Sequence, residues 1–208
     1  VGEIHLSGIG AVAEKDGGFF LARGNMLTKL PEYDYSYELD RRVFSVLGRN
    51  SLSDRFQRLY SEHIGRFNHL RFLCHGDFYL PNVLDGGTII DFEMANMGNP
   101  SYDLACFIES LDLPKIGLTA EGLINEYLKS TPLEEFYPGI NKEIETNYFC
   151  VDRAHSLIGD AGSKIKRGKI NEARKRIEKA EIYLREENKT LGDIFIDYLH
   201  STQPALLS

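Results

Sequence analysis

The sequence of 208 residues has no tryptophan, only three cysteines and no long apolar run. No stretch approaches the roughly 20 apolar residues that a membrane-spanning helix requires. The first residues, Val-Gly-Glu-Ile-His-Leu-Ser-Gly, lack the basic start and apolar centre of a signal peptide. They also lack an initiator methionine, so we expect that some preceding sequence is missing. These absences predict a cytoplasmic protein that does not contact a membrane.

The cysteines also argue against a secreted protein stabilised by disulfides. Cys74, Cys106 and Cys150 are odd in number, widely spaced and without a C-x-x-C motif. This pattern favours reduced thiols in the cytoplasm. The formal net charge of −7 argues against a nucleic-acid partner and would suit a cationic small substrate.

Most of the chain has the composition and periodicity of a helical globular domain or one large lobe, with 42% hydrophobic and 26% charged residues. Residues 1–13 resemble the end of a helix, and the glycine-broken stretch Glu14–Leu30 resembles a loop. Apolar spacing predicts helices over 33–47, after a cap at Ser51 or Ser53, after a cap at Ser101, and near 119–129, 141–158, 169–188 and 191–201.

One β-hairpin is predicted near the middle of the chain, over residues 83–90. Gly86-Gly87 suits a two-residue loop, because both central positions of a type I′ turn need positive φ. That loop would place Asn82 opposite Asp91 on one face, with Cβ atoms about 5 Å apart. An amide oxygen and a carboxylate at that separation can share Mg²⁺, which prefers oxygen ligands. We therefore predict Asn82 and Asp91 as metal ligands.

Asp77 lies five residues before Asn82, on the loop that enters the predicted hairpin. A carboxylate there can orient an alcohol and accept its proton while the metal neutralises charge on phosphate groups. Phosphoryl transfer depends mainly on positioning and charge stabilisation, for which a base, an amide and a metal-binding carboxylate are suited.

Three motifs in this region resemble those of one enzyme superfamily. They are H-G-D-x-x-x-x-N at His75–Asn82, I-I-D-F-E at Ile89–Glu93 and M-G-N-P-S-Y-D-L-A at residues 97–105. Together they resemble the catalytic loop, the metal segment and the following helix of the aminoglycoside phosphotransferase and choline kinase superfamily, whose members are relatives of protein kinases.

The resemblance implies an α+β, mostly helical fold, like the C-terminal lobe of a protein kinase with a small catalytic β-hairpin. It implies that Asp77 is the catalytic base and that Asn82 and Asp91 bind Mg²⁺. It also implies that Asp103 braces the catalytic loop from the next helix, and that His75 supports the loop from within. ATP would be the phosphoryl donor, and a hydroxyl of an aminoglycoside, an amino alcohol such as choline or a sugar-like molecule would be the acceptor.

Two departures from protein kinases indicate a small acceptor rather than a peptide. Gly76 stands where protein kinases have arginine, and only nine residues separate Asp91 from Ser101. No A-P-E motif follows, so no segment is long enough for a regulated peptide platform. We expect one kinase-like lobe over 1–208, with a catalytic and metal-binding segment at 71–105 and a helical substrate-binding part at 106–208.

The N-terminal lobe that holds ATP in this superfamily is expected to be absent from this chain. The G-I-G sequence at Gly8–Gly10 is a weak match to a glycine-rich loop, and too little chain precedes Asp77 for five strands and a phosphate-binding lysine. We therefore expect the isolated chain to bind ATP poorly and to turn over little without that lobe as its partner.

Several alternatives remain open from the sequence. Asp152 and Asp160, on and just after a late helix, could meet a cationic acceptor or be ordinary surface carboxylates. Glu93 could contact the metal or form a structural hydrogen bond. The whole chain could be a degenerate kinase-like domain that binds a ligand without catalysis. A metal-dependent hydrolase would need further protein ligands or a water-activating base.

Overall fold

The computed structural model describes residues 12–15, 18–23, 26–32, 34–64 and 72–203. They form many helices and two small antiparallel sheets, which confirms the prediction of a mostly helical α+β fold. The chain divides into two compact units. The first unit comprises residues 1–33 and 68–148, and the second unit comprises residues 34–67 and 149–208.

The helices follow in chain order, with several short irregular turns between them. They are α1 Tyr35–Leu39, α2 Ser45–Leu47, α3 Ser51–Ile64, α4 Pro100–Ser110, α5 Leu113–Ile116, α6 Ala120–Ser130, α7 Ile140–Asn147, α8 Arg153–Lys166, α9 Ile170–Glu187 and α10 Lys189–Thr202. The turns are 3₁₀-helical at Leu80–Asn82, Phe92–Met94 and Leu133–Glu135, and π-helical at Asp40–Phe44 and Tyr148–Asp152.

A three-stranded antiparallel sheet occupies most of the stretch that was predicted to be a loop. Its strands are β1 Val12–Lys15, β2 Gly18–Arg23 and β3 Met26–Leu30, in the order β1-β2-β3. The loop prediction for Glu14–Leu30 is therefore wrong. Asp16-Gly17 and Gly24-Asn25 separate the paired strands, and such dipeptides favour two-residue hairpin loops.

The second sheet contains the strand that leads into the predicted catalytic loop. Strand β4 (Phe72–Cys74) pairs antiparallel with β5 (Asn96–Gly98), with Cys74 opposite Asn96. Leu30, Leu73 and Met97 form a small buried cluster that joins the two sheets. The Met97 N–H also donates to the Pro31 carbonyl oxygen at 2.8 Å.

Asparagine side chains cap two of the helices, where serine was predicted. The Asn99 side chain accepts a hydrogen bond from the Ser101 N–H at 3.1 Å, with Pro100 in the first position of α4. At the start of α3, the Asn50 side chain accepts from the N–H groups of Leu52 and Ser53. The predicted caps at Ser101 and at Ser51 or Ser53 are therefore wrong, although both helices exist as predicted.

In the second unit, α9 presents the predicted apolar stripe to the interior. Ala173, Ile177, Ala180 and Leu184 are buried, and Ile170 at the start of the helix is 38% exposed. The predicted single helix over 141–158 is instead α7 and α8, separated by a π-helical turn and extending to Lys166. The other helices predicted at 33–47, 119–129, 169–188 and 191–201 are observed to within a few residues, with the first interrupted by the other π-helical turn.

Several expectations from the sequence lie partly or wholly outside the described residues. The G-I-G segment does so entirely, and the predicted helix end at 1–13 does so except for Val12 and Ala13, which are in β1. Cys74 and Cys106 are buried free thiols. Among the described residues, no helix has both the length and the apolar character needed to cross a bilayer.

Candidate active site

The segment His75–Asn82 follows β4 and is held by a carboxylate from α4. The side chain of Asp103 is fully buried in the first turn of that helix. Its Oδ2 accepts a hydrogen bond from the His75 N–H at 2.7 Å, and its Oδ1 accepts from the Gly76 N–H at 2.9 Å. These are the contacts that a bracing role requires. The role itself stays a prediction.

The buried His75 ring links the loop to the segment that contains Asp91. The Asp77 N–H donates to His75 Nδ1 at 3.3 Å, so Nδ1 acts as an acceptor. His75 Nε2 lies 2.7 Å from the carbonyl oxygen of Ile90, which can only accept, so Nε2 carries the ring proton. Both ring nitrogens are engaged with the backbone, and the role of His75 in supporting the loop stays a prediction.

Gly76 is required by both its backbone conformation and its surroundings. Its φ is 79°, and a Cβ atom there would overlap with the Met94 carbonyl oxygen and the Asn96 amide nitrogen. The Asn96 side chain is itself fixed by donating to the Met94 carbonyl oxygen at 2.9 Å. The positive φ and the close packing therefore both explain the glycine at this position.

Asn82 closes the loop back onto Asp77. The Asn82 Nδ2 donates to the backbone carbonyl oxygen of Asp77 at 2.8 Å, and the Tyr79 N–H donates to the same oxygen at 3.0 Å. Because the amide nitrogen is used in this way, Oδ1 is the atom that Asn82 can offer to a ligand. Asp77 and Asn82 are thus brought together as the sequence predicts.

The hairpin after Asn82 exists, but its predicted register is wrong by one residue. Val83 pairs with Ile89, and the Leu84 N–H donates to the Thr88 carbonyl oxygen at 2.8 Å. The loop therefore has three residues, Asp85, Gly86 and Gly87, rather than two. The Ile90 N–H donates to the Asn82 carbonyl oxygen at 3.0 Å, so Ile90, not Asp91, lies opposite Asn82.

Asp91 has an unusual backbone conformation next to this position. Its φ of 65° and ψ of 58° are left-handed, and no other described residue except glycine has positive φ. Such a residue interrupts strand alternation, and strained residues of this kind cluster at functional sites. Asp91 is exposed and follows Ile90 directly. Its pairing with Asn82 across the hairpin is therefore not observed, and shared metal binding stays a prediction that rests on proximity.

The donor set fits a hard cation that uses few protein ligands. The described residues contain no group of three or more His, Cys, Asp or Glu side chains arranged to hold a metal. One amide oxygen and one exposed carboxylate are sufficient for Mg²⁺, which usually keeps waters and substrate phosphates as its other ligands. Glu93 is also exposed, in the 3₁₀ turn after Asp91.

The two carboxylates proposed for a cationic acceptor lie in the second unit. Asp152 is fully buried, and its Oδ1 accepts a hydrogen bond from the Tyr35 hydroxyl at 2.7 Å. Asp160 lies within α8 and pairs with Arg176 at 2.9 Å and Lys164 at 3.4 Å. Their contacts are those of structural residues, and a role in substrate binding stays a prediction.

Two further residues, one bonded to the loop and one near the residues that hold it, had no signal in the sequence. The Ser110 hydroxyl at the end of α4 accepts from the Leu80 N–H at 3.1 Å. Burial raises the pKa of the Tyr127 phenol far above its usual range, and the charges of Cys74 and Asp103 raise it further. The phenol therefore stays protonated close to the carboxylate that holds His75 and Gly76.

Comparison with known proteins gives one finding. The model of a family described as the phosphotransferase enzyme family matches residues 32–138, which is more than half of the chain and includes all three motifs. No curated protein and no solved structure gives a significant match.

Proposed function

The chain belongs to the phosphotransferase enzyme family, and from this premise we propose that it transfers the γ-phosphoryl group of ATP to a hydroxyl of a small molecule. Aminoglycosides, amino alcohols such as choline, and sugar-like molecules are the acceptor classes we propose to test. The short segment between Asp91 and α4 supports a small acceptor, because it leaves no room for a peptide platform.

In this proposal, Asp77 orients the acceptor hydroxyl and accepts its proton. Its backbone N–H is held by His75 Nδ1, and its carbonyl oxygen is held by the Asn82 amide and by Tyr79. A base contributes to the rate only if it is positioned before the reaction begins. Since both backbone groups of Asp77 are fixed, the loop supplies that positioning.

Asn82 Oδ1 and the Asp91 carboxylate would hold Mg²⁺ in this proposal. The ion, when bound with ATP, supplies positive charge at the phosphates. Asn82 is kept in orientation by its bond to Asp77, and Asp91 is exposed to solvent. Leu84 and Ile90, which are 48% and 39% exposed, alternate with Val83 and Ile89 along the hairpin and offer apolar surface for the base of the nucleotide.

One observation carries the proposal: a buried carboxylate, Asp103, fixes the backbone that leads into Asp77, and Asn82 fixes the backbone that leaves it. The aspartate between these two anchors is itself partly exposed, so a ligand can reach it. The arrangement is suited to holding one carboxylate still in front of a ligand.

The test is ADP release by the full-length protein with Mg²⁺ and a panel of aminoglycosides, amino alcohols and sugars. With an active acceptor, Asp77→Asn should lower kcat by about 10²- to 10⁴-fold, because a positioned base contributes roughly that much. ATP affinity should change little. Asp85→Asn is the matched control, since Asp85 is an exposed aspartate on the same hairpin, and it should leave kcat unchanged.

Unchanged turnover in Asp77→Asn would rule out the base role. ATP binding without ADP release for any acceptor would favour a degenerate ligand-binding domain. ADP release that no acceptor stimulates would favour hydrolysis. For the 208-residue chain by itself, we still expect weak ATP binding and little turnover, and robust turnover by that chain would contradict the proposed need for an N-terminal lobe.

A further inference from the structure

A cavity of about 240 Å³ lies within the first unit, behind the catalytic hairpin. Val83 and Ile89, which pair across the hairpin, form its hairpin wall, whereas Asp77, Asn82 and Asp91 do not line it. Phe78, which directly follows Asp77, forms a second wall. The cavity is therefore distinct from the proposed phosphoryl-transfer site but shares the same loop.

Two helices complete the cavity. Phe107 and Ile108 come from α4, and Leu123 and Tyr127 come from α6. Phe78 and Phe107 stack with ring centroids 4.9 Å apart at an interplanar angle of 25°. Ile108, Phe78 and Tyr127 are buried, whereas Leu123 and Phe107 are only partly covered, so the cavity has a buried floor and a rim that solvent reaches.

The lining selects against charged ligands. None of the lining residues carries a charge at neutral pH, and the Tyr127 hydroxyl is the one side-chain polar group among them. Transferring a charged group into such surroundings without a partner costs several kcal/mol or more. An apolar cavity of about 150 Å³ is enough to take up benzene, so this larger cavity has room for a fused two-ring system.

We propose that this cavity binds a small, uncharged aromatic molecule of about two fused rings. The stacked rings of Phe78 and Phe107 form one aromatic wall of the cavity, and Tyr127 adds a third ring with one polar atom. Any such ligand contacts the residue next to Asp77 and the phenol that lies near Asp103. Its binding therefore stabilises the catalytic loop through Phe78, on the side that lines the cavity.

The experiment uses 5-fluoroindole as the probe with the full 208-residue chain. Fluorine NMR should show saturable binding that unlabelled indole displaces. Tryptamine and indole-3-acetate, which have the same ring with a positive or a negative charge, should not displace it. Displacement by the charged compounds to the same extent as by indole would contradict an uncharged site.

Methyl NMR locates the bound probe without any substitution. Resonances of Ile89, Ile108 and Leu123 should shift on binding, and those of Ile116, which is 51% exposed in the same unit and does not line the cavity, should not. Shifts confined to other methyl groups, or the absence of saturable binding, would overturn the proposal.

A pair of substitutions gives a second test. Leu123→Trp places an indole ring in the cavity and should weaken 5-fluoroindole binding at least about tenfold, or about 1.4 kcal/mol. Ile116→Trp adds the same bulk at the surface and should retain the affinity of the unmodified chain. Equal affinity in both variants would contradict the proposed location. None of these measurements uses ATP or turnover, so their outcome does not depend on the proposed phosphotransferase activity.

Discussion

Replacing Gly76 with alanine tests whether close packing, and not only backbone conformation, fixes the start of the loop that contains Asp77. The new Cβ atom would have to occupy a left-handed conformation at φ 79° and would overlap with the Met94 carbonyl oxygen and the Asn96 amide. Met94 contributes a backbone atom to this contact, and Asn96 is held by its own hydrogen bond. A shift of either neighbour would disturb the hydrogen bond from the Asn96 amide to the Met94 carbonyl oxygen.

The expected cost has two parts. A left-handed alanine costs about 1–2 kcal/mol, and forcing an extra carbon into a packed site costs about 1–3 kcal/mol. Gly76→Ala should therefore lower the free energy of unfolding by roughly 2–5 kcal/mol. Gly86→Ala is the matched control, because Gly86 has a similar φ of 83° but nothing within 4 Å of the added Cβ. Gly86→Ala should lower the free energy of unfolding only by the cost of the left-handed backbone, about 1–2 kcal/mol.

The measurement is urea unfolding followed by circular dichroism, with the slope m compared among the three proteins so that changes in midpoint can be converted to free energy. The difference between the two variants isolates the packing contribution. If Gly86→Ala is as destabilising as Gly76→Ala, or if Gly76→Ala is harmless, the loop is not held by the contacts described here.

Three other substitutions test further contacts. Asp103→Asn should lower stability by about 2–4 kcal/mol, because an amide can accept only one of the two N–H groups, and ADP release should fall with it. Burial, and secondarily the charge of Arg42, lower the pKa of His155 from 6.5 to about 3. Between pH 6.5 and 3 the unfolded chain thus binds more protons than the folded chain, so the free energy of unfolding falls as pH falls, by up to roughly 5 kcal/mol. A series of melting temperatures against pH should show a smaller decrease for His155→Phe than for the unmodified chain. Asn99→Ala removes the cap of α4 and should lower the melting temperature by an amount equivalent to about 1 kcal/mol.

The spacing of motifs and apolar residues was sufficient to predict the family and most helices. The family match confirms the resemblance read from residues 75–105. The buried stripe of α9, from Ala173 to Leu184, follows directly from helical periodicity. The capping residues were missed because Asn, Ser and Asp are all good caps, and the choice depends on where the chain turns into the helix.

The strands and the hairpin register were harder to predict because glycine occurs both in long loops and in the tight turns between paired strands. The glycines between residues 14 and 30 favour a loop by composition, whereas the dipeptides Asp16-Gly17 and Gly24-Asn25 separate paired strands. In the hairpin, Gly86 and Gly87 both have the expected positive φ, but Asp85 joins the loop and shifts the register by one. A shift of one residue places different side chains opposite each other.

The left-handed conformation of Asp91 was not predictable from its neighbours, because aspartate adopts it only occasionally and as a single residue. It is also why strand alternation did not predict the position of Asp91 relative to Asn82. Departures from local sequence rules are expected at functional positions. Here the departure is at Asp91, which the I-I-D-F-E motif identifies without any geometric argument.

The two units are interleaved along the chain, and this affects how the protein can be made and divided. The second unit packs α3, residues 51–64, against α10, residues 189–202, so α3 lacks this packing partner until translation has passed residue 202. A premature stop codon after residue 148 would leave α3 exposed and without its partner. Cutting the gene at a single point cannot separate one unit from the other. Loss of the turns of α10 would remove packing contacts from α3, which is encoded more than a hundred codons earlier.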